Sequence, residues 1–400
     1  MVRRTRYLRK IPLAEAQAVF FSALEEAGFF QAAEEEVAVQ AALGRVTSQP
    51  VHARIPCPHF RSAAMDGIAV RSEDTFGARG DAPKFIPRES FRYIDTGDPL
   101  PDPYDAVVMI EQVNEVEGGV EIYEPVFPGK HVREIGEDFP QGALVLPAGR
   151  RLRPEGIAAC LATGNPTVWV KRKPRGLFIP TGSELVPPEA DWGVGKVPET
   201  NSQLFLGYVE EWGGEAHASP IVPDRLEEIR GAVVAALEEG YDFIAISAGT
   251  SKGREDFTAA IVAELGRVLV HGVGIAPGKP VLLGLLDGVP VLGLPGYPVA
   301  AWIALVKFLK PALERYFGCP APPAPTVQGT LTHRIHSSLG TREFVRVRLE
   351  RKADKVLVHP LPGGSSRLSS LTGADGIVEV PEEVEGYPKG AEVTVELLPR

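Results

Sequence analysis

The 400-residue chain has only three cysteines, Cys57, Cys160 and Cys319. Their number is odd, they lie far apart and no Cys-x-x-Cys occurs. A disulfide framework is therefore excluded, a zinc site is disfavoured, and a reducing cytoplasm is the expected setting. No run approaches ~18 uninterrupted apolar residues, so no membrane span is expected. Positive charge is also short, with 42 Lys and Arg against 52 Asp and Glu and a net charge of −10. That balance excludes a general binder of nucleic acid or anionic membrane, which needs a basic footprint. A basic cluster (Arg3, Arg4, Arg6, Arg9, Lys10) opens the chain, but no apolar h-region follows it. It reads as a solvated arm and not as a secretory signal. Of the eight histidines, only His333 and His336 are closely spaced, and they read as surface residues in a strand-like segment.

What the chain does have is turn chemistry. Thirty-seven prolines beside 42 glycines imply many fixed turns and short elements. Length alone suggests two to four domains at roughly 150 residues each. Leu13, Ala16, Phe20, Ala23, Leu24 and Ala27 recur at helical steps and predict an amphipathic helix over 13–27, stopped by Gly28. A second short helix is expected over Val37–Leu43. A third, over 154–163 with Pro154 at its first position, is expected to return and pack on these. Between residues 51 and 139 short alternating runs such as Gly67–Val70, Ala106–Ile110 and Val120–Tyr123 predict a β-rich domain. From about residue 173 strands and helices alternate, which argues for a parallel, helix-covered sheet ending near Phe317. Gly318–Pro325 carries four prolines in eight residues and reads as a stiff linker. The strand-like runs 344–349, 355–358, 376–380 and 392–397 then predict a small all-β domain.

Candidate chemistry sits in the loops of the α/β part. Thr181-Gly182-Ser183-Glu184-Leu185 follows an apolar strand, where the loops of an α/β sheet bind ligands. Glycine lets backbone approach an anion, and Thr and Ser supply hydroxyls; an ordinary strand-to-helix turn explains the same residues. Asp242 precedes the strand Phe243–Ile246. After it come Ser247-Ala248-Gly249-Thr250-Ser251-Lys252-Gly253 and then Asp256, a credible phosphate cradle without Walker spacing. Two Pro-Gly turns, Ala276-Pro277-Gly278-Lys279-Pro280 and Leu294-Pro295-Gly296-Tyr297-Pro298, suggest a shaped rim or merely stiff connections. Asp66, Asp95-Thr96-Gly97-Asp98 and Glu137-Asp138 lie outside this part, each within an ordinary turn motif.

Taken together, 62–70, 96–101, 136–138, 181–185, 247–256, 277–280 and 294–298 strongly resemble the MoeA family of molybdopterin molybdenumtransferases, to which the gephyrin E domain is related. The tail Gly364–Leu371 with Ala374–Ile377 looks like that family's C-terminal β domain, so the resemblance covers nearly the whole chain from residue 11. It implies a multidomain α/β plus β fold. The parts would be a central MogA-like three-layer α/β domain over 173–318, a β-rich domain over 51–139, a small helical linking domain from 11–50 and 140–172, and a β-barrel-like domain over 326–400. It also implies a cytoplasmic homodimer whose cleft joins the α/β domain of one chain to the β domain of its partner. Molybdopterin adenylyltransferase and apo-molybdoenzymes are possible further partners.

The reaction so implied inserts molybdate into adenylylated molybdopterin and releases AMP, assisted by Mg²⁺. Carboxylates beside phosphates usually share a hard metal ion, so Glu184, Asp242 and Asp256 are expected around the metal and adenylate. Thr181, Gly182, Ser183, Ser247, Gly249, Thr250, Ser251, Pro295, Gly296, Tyr297 and Pro298 are expected to bind substrate, with Lys279 on its charge. Asp66, Thr96 and Asp138 are expected to orient the molybdate end. Three positions depart from the family pattern: Ala276 for a lysine, Tyr297 for an asparagine, and Ala248 for a glycine. They leave open molybdate against tungstate, and a non-catalytic oxyanion or molybdopterin sensor as the alternative. An adenylyltransferase, which the α/β part also resembles, is a third reading.

Overall fold

A computed structural model describes residues 10–248, 257–353 and 355–399. The chain divides into two compact units: Glu34–Lys171, and the remainder up to Ala33 and from Arg172 onward.

In the first unit Gly67–Val70 is the middle of a three-stranded antiparallel sheet, between Phe91–Ile94 and Ala106–Met109. A second sheet joins Lys84–Pro87, Gly119–Ile122 and Val113–Val116. Ile68, Val70, Ile86, Val108, Val120 and Ile122 form the core between them. Gly67 is required by close packing, because a Cβ there would lie 1.9 Å from the Val108 carbonyl oxygen.

The expected helix over 37–43 is corrected. Glu34–Ala38 is a strand, paired antiparallel with Thr167–Lys171, and only Val39–Ala41 turns as a short 3₁₀ segment. So short a run has little helical stability of its own, whereas the ladder satisfies the backbone of Val37 at once. The helix α2 (Pro154–Ala162) packs on the Val39–Ala41 turn through Val39, Ala42 and Cys160. The other early helix, α1 (Leu13–Glu26), does not share that core. Its stripe of Leu13, Ala16, Phe20 and Leu24 belongs to the larger unit.

That unit is built on six strands: β1 (Arg175–Ile179), β2 (Glu215–Ala218), β3 (Phe243–Ala248), β4 (Arg267–His271), β5 (Leu282–Leu286) and β6 (Val289–Pro295), in the order β2-β1-β3-β6-β5-β4. Side chains along β1 and β3 alternate between two cores. Phe178, Phe243 and Ala245 face α1, α3 (Asn201–Glu211) and the helical segments between Pro298 and Phe317. Leu177, Ile179, Ile244 and Ile246 face α4 (Leu226–Glu238) and α5 (Phe257–Leu265). This is the three-layer sandwich, and burial on both faces explains the continuous apolar runs.

The sheet is not wholly parallel. β2, β1, β3 and β6 are, but β5 runs antiparallel to both β6 and β4. The cause is local. Asp287 and Gly288 both take positive φ (47° and 86°), the two-residue hairpin geometry that Asp-Gly favours. So short a link cannot make a parallel crossover.

Beyond the proline-rich segment, β7 (Thr326–Leu331), β8 (Arg342–Lys352), β9 (Lys355–Pro360), β10 (Gly376–Val380) and β11 (Glu392–Leu397) close into a five-stranded barrel, completed by the β8–β10 pairing. Leu331, Val347, Val358, Val378 and Val395 fill it. Ile275–Ala276 of the α/β part pairs in parallel with Arg342–Glu343 of β8, and Phe344 enters the α/β core. The outer face of β8 is thereby covered, which positions the cavity described next.

Candidate functional site

The carboxyl ends of β1, β3 and β6 lie level, since Ile179 pairs with Ile246, Ser247 with Leu294 and Ala248 with Pro295. The chain leaves β1 for β2 on one side and returns to β3 on the other, so the crevice between β1 and β3 is the switch point at which open α/β sheets bind ligands. Thr181 stands there, its hydroxyl donating to the Ser247 carbonyl. The Gly182 amide donates to Val222 O at 3.1 Å. Ser183 and Asp224 exchange bonds, the Ser183 amide to Asp224 Oδ2 at 3.4 Å and the Asp224 amide to Ser183 Oγ at 3.3 Å. The exposed Glu184 folds its carboxylate over Gly182, where a Cβ would meet both of its oxygens at 3.1 Å. Asn201 Nδ2 donates to Gly296 O at 2.9 Å and so ties the start of α3 to the β6 loop. The buried Glu199 carboxylate accepts from the Asn201 and Ser202 amides (2.8 and 3.1 Å) and from the Ser202 hydroxyl. Asp224, Glu199 and Asn201 were not singled out from the sequence, since their roles depend on loops that meet only in the fold.

Asp242 is not brought to this edge. It precedes β3 at the strand's amino end, where its carboxylate accepts from Arg172 Nη2 and from the Arg175 amide, both at 2.6 Å. Six residues of strand, about 20 Å, separate it from Ala248. Gly249, Thr250, Ser251, Lys252, Gly253 and Asp256 lie outside the described residues. Among the described residues no three His, Cys, Asp or Glu side chains are grouped as a metal would need. Mg²⁺ usually takes one or two carboxylates plus substrate phosphate oxygens, and Glu184 fits as one such ligand.

Pro295 and Gly296 also line a cavity of about 410 Å³ between the α/β part and the barrel. Lys279, Tyr297, Glu343, Arg346 and Ser365 form other parts of its wall, as does Ala276. The turn needs Gly278, whose φ is +124°. Tyr297 is 51% exposed, directly ahead of the helix that begins at Pro298. Arg346 is only 4% exposed, and its guanidinium bonds neutral acceptors: Phe344 O at 2.8 Å, Gly364 O at 3.2 Å and Ser370 Oγ at 3.3 Å. Burial lowers its pKa, and the charge of Glu343 opposes that shift. Among the described residues no carboxylate is hydrogen-bonded to this buried cation, and a cation so placed beside a cavity suits an anion. Sequence reasoning missed it, because Phe344-Val-Arg346-Val-Arg348 reads as a strand with arginines on its wet face.

In the other unit Asp66 and Thr96 are brought together. Asp66 Oδ1 accepts from the Thr96 amide and hydroxyl, each at 2.7 Å. The hydroxyl first, then the amide, holds the Asp66 carboxyl below its ordinary value. The pairing of Gly67 with Ile94 sets this contact. Asp138 is exposed on a turn whose amide donates to Cys57 O at 3.1 Å.

Three family descriptions match the chain in order. They are the MoeA N-terminal region (domains I and II) over residues 11–164, a probable molybdopterin binding domain over 177–315, and the MoeA C-terminal region (domain IV) over 328–398. A relative from Methanocaldococcus jannaschii, whose name places it in molybdopterin biosynthesis, is 36% identical over 97% of this chain and 98% of its own. The molybdopterin molybdenumtransferase 2 of Mycobacterium tuberculosis is 31% identical over 88% of this chain and 92% of its own. The crystal structure of a molybdopterin biosynthesis MoeA protein from Pyrococcus horikoshii superposes with a TM-score of 0.81 at 34% identity, covering 97% of this chain and 99% of that one. No helix among the described residues is long and apolar enough to cross a membrane.

Proposed function

The chain belongs to the MoeA family, and from that premise we propose that it is a molybdopterin molybdenumtransferase, inserting molybdate into the dithiolene of adenylylated molybdopterin with release of AMP. One observation carries this reading: the switch-point edge and the cavity under Arg346 share Pro295 and Gly296. A phosphoanhydride and an oxyanion therefore have adjoining places.

At the edge, the Thr181 hydroxyl and the Gly182 and Ser183 amides are held by Ser247 O, Val222 O and Asp224 and so shape the turn. The Ser183 hydroxyl and the residues Ser247, Gly249, Thr250 and Ser251 are assigned to the adenylyl phosphates as hydrogen-bonding groups. In the cavity, Lys279 and Arg346 supply two cations against the one carboxylate of Glu343, so the net field favours molybdate. Arg346 also explains how the site tolerates Ala276 where the family pattern has lysine. Mg²⁺ would be held by Glu184 and Asp256 and would neutralise phosphate charge when bound; Asp242 is left out of this set. Asp66, Thr96 and Asp138 are assigned to orienting the molybdate end in a cytoplasmic homodimer, acting on the site of the partner chain. An adenylyltransferase delivering the substrate and apo-molybdoenzymes receiving the product complete the proposed partners.

A single-turnover assay tests the reading. Adenylylated molybdopterin with Mg²⁺ should release AMP only when molybdate is added, and Glu184→Ala should abolish the release. Tight binding of the adenylate without AMP release under molybdate or tungstate would support the sensor instead.

A further inference from the structure

The loop 187–196 has no part in this scheme, yet it is rooted in the substrate turn. It leaves the fold after Leu185–Val186 and re-enters at Val197–Pro198, and these two short strands pair with each other in parallel. The Val197 amide donates to Glu184 O at 3.0 Å, the Glu199 amide to Val186 O at 2.9 Å, and Lys196 Nζ to Ser183 O at 3.0 Å. Both feet are thus fixed within a few residues of Ser183 and Glu184. Pro187 and Pro188 stiffen the outgoing limb, while Gly193 and Gly195 (φ +87°) follow Trp192 on the returning one.

The crest carries Trp192, 58% exposed, and Val194, fully exposed. Indole has a large apolar face and stacks well on flat heteroaromatic rings. The neighbouring acids Glu189 and Asp191 would repel a phosphate, so the loop suits the uncharged ring of a substrate and not its anionic part. Each limb contains a turn, with the Ala190 amide on Pro187 O at 3.0 Å and the Lys196 amide on Gly193 O at 3.1 Å. Trp192 therefore stays well within the roughly 17 Å that a fully extended five-residue path to Val197 would allow, a distance comparable to a mononucleotide seated at Thr181–Glu184.

We infer that Trp192 is a substrate-positioning residue that stacks on a planar nitrogen heterocycle of the substrate held at the switch point. This rests on the proposed function above. The ring is either the adenine or the pterin, and separate ligands distinguish them.

Isothermal titration of the full chain with AMP, with a pterin monophosphate and with inorganic phosphate provides the test. Trp192→Ala should weaken one of the two ring ligands by about tenfold, equivalent to about 1.4 kcal/mol. Trp192→Phe should keep wild-type affinity within about threefold, and phosphate should bind all three proteins alike. Loss for AMP assigns the adenine, and loss for the pterin assigns the pterin. Undiminished binding of both ring ligands by Trp192→Ala overturns the inference and leaves the proposed site standing. Failure of wild-type protein to bind either ring ligand overturns the site reading, and this inference with it.

Discussion

Replacing Arg346 by methionine tests the cavity most selectively. Methionine occupies similar length without charge, so the packing of β8 against the α/β part is largely kept. What disappears is a guanidinium at 4% exposure that would donate charge-assisted bonds to an oxyanion. Such bonds contribute about 1.5–3 kcal/mol, so half-saturation by molybdate should rise roughly tenfold to more than a hundredfold. Folding stability moves by a separate route. Phe344 O, Gly364 O and Ser370 Oγ each lose a donor, at about 1–3 kcal/mol for any acceptor left dry, offset in part by no longer burying a cation. The thermal midpoint should therefore fall by several degrees, and the assay must be run well below it. Molybdate dependence of AMP release in single turnover is the readout, with AMP affinity as the internal control. Arg346→Lys should fall between wild type and Arg346→Met, because it keeps the charge but not the three-way geometry. An unchanged molybdate requirement in Arg346→Met, with AMP binding lost instead, would refute the assignment of this cavity to the oxyanion.

Other outcomes follow from the same geometry. Asp242→Asn should cost about 1 kcal/mol in stability through the Arg172 contact and leave AMP release near wild type, whereas Glu184→Ala should abolish it; parallel assays on both variants check this. Thr96→Val removes the hydroxyl bond and should raise the Asp66 carboxyl part of the way back toward its ordinary value, the residue-96 amide still donating; its carboxyl carbon shift against pH reads the change. In wild type the contribution of this bond is present above the unfolded-state pKa and is lost as pH falls through the lowered folded value. An unshifted titration in Thr96→Val would show that the Thr96 hydroxyl is not its cause. Gly67→Ala drives a Cβ to 1.9 Å from the Val108 carbonyl and should destabilise the β unit by about 2 kcal/mol or more, measured by urea unfolding.

Much of the α/β architecture was legible because burial on both sheet faces leaves a simple trace. Leu177-Phe178-Ile179 and Phe243–Ile246 are apolar throughout, and each is bounded by polar or turn residues. The antiparallel hairpin had its own signal in Asp287-Gly288, and assuming a uniform parallel sheet passed over it. The strand at Glu34–Ala38 was less readable, since its partner lies some 130 residues away at Thr167–Lys171 and three consecutive glutamates suit a helix as well. Whereas residues 249–256 lie outside the described residues, that Thr181 and Ser247 follow apolar strands at one edge of the sheet could be read from the sequence directly. Arg346 could not, because alternation along β8 tells which residues share a face but not whether a second layer covers that face. The Asp66–Thr96 bond likewise needs the register of two strands that no spacing in the sequence encodes. Asp242 looked like a site residue for the opposite reason: it adjoins the right strand in sequence but stands at the wrong end of it in space.

The most direct test of the oxyanion assignment is to locate the anion itself. Crystals grown with AMP and soaked in tungstate can be read by anomalous scattering at the tungsten edge. The expected result is a peak in the cavity between Lys279 and Arg346, adjoining Pro295 and Gly296, with AMP at Thr181–Glu184. A tungsten peak elsewhere, with that cavity holding only solvent, would contradict it.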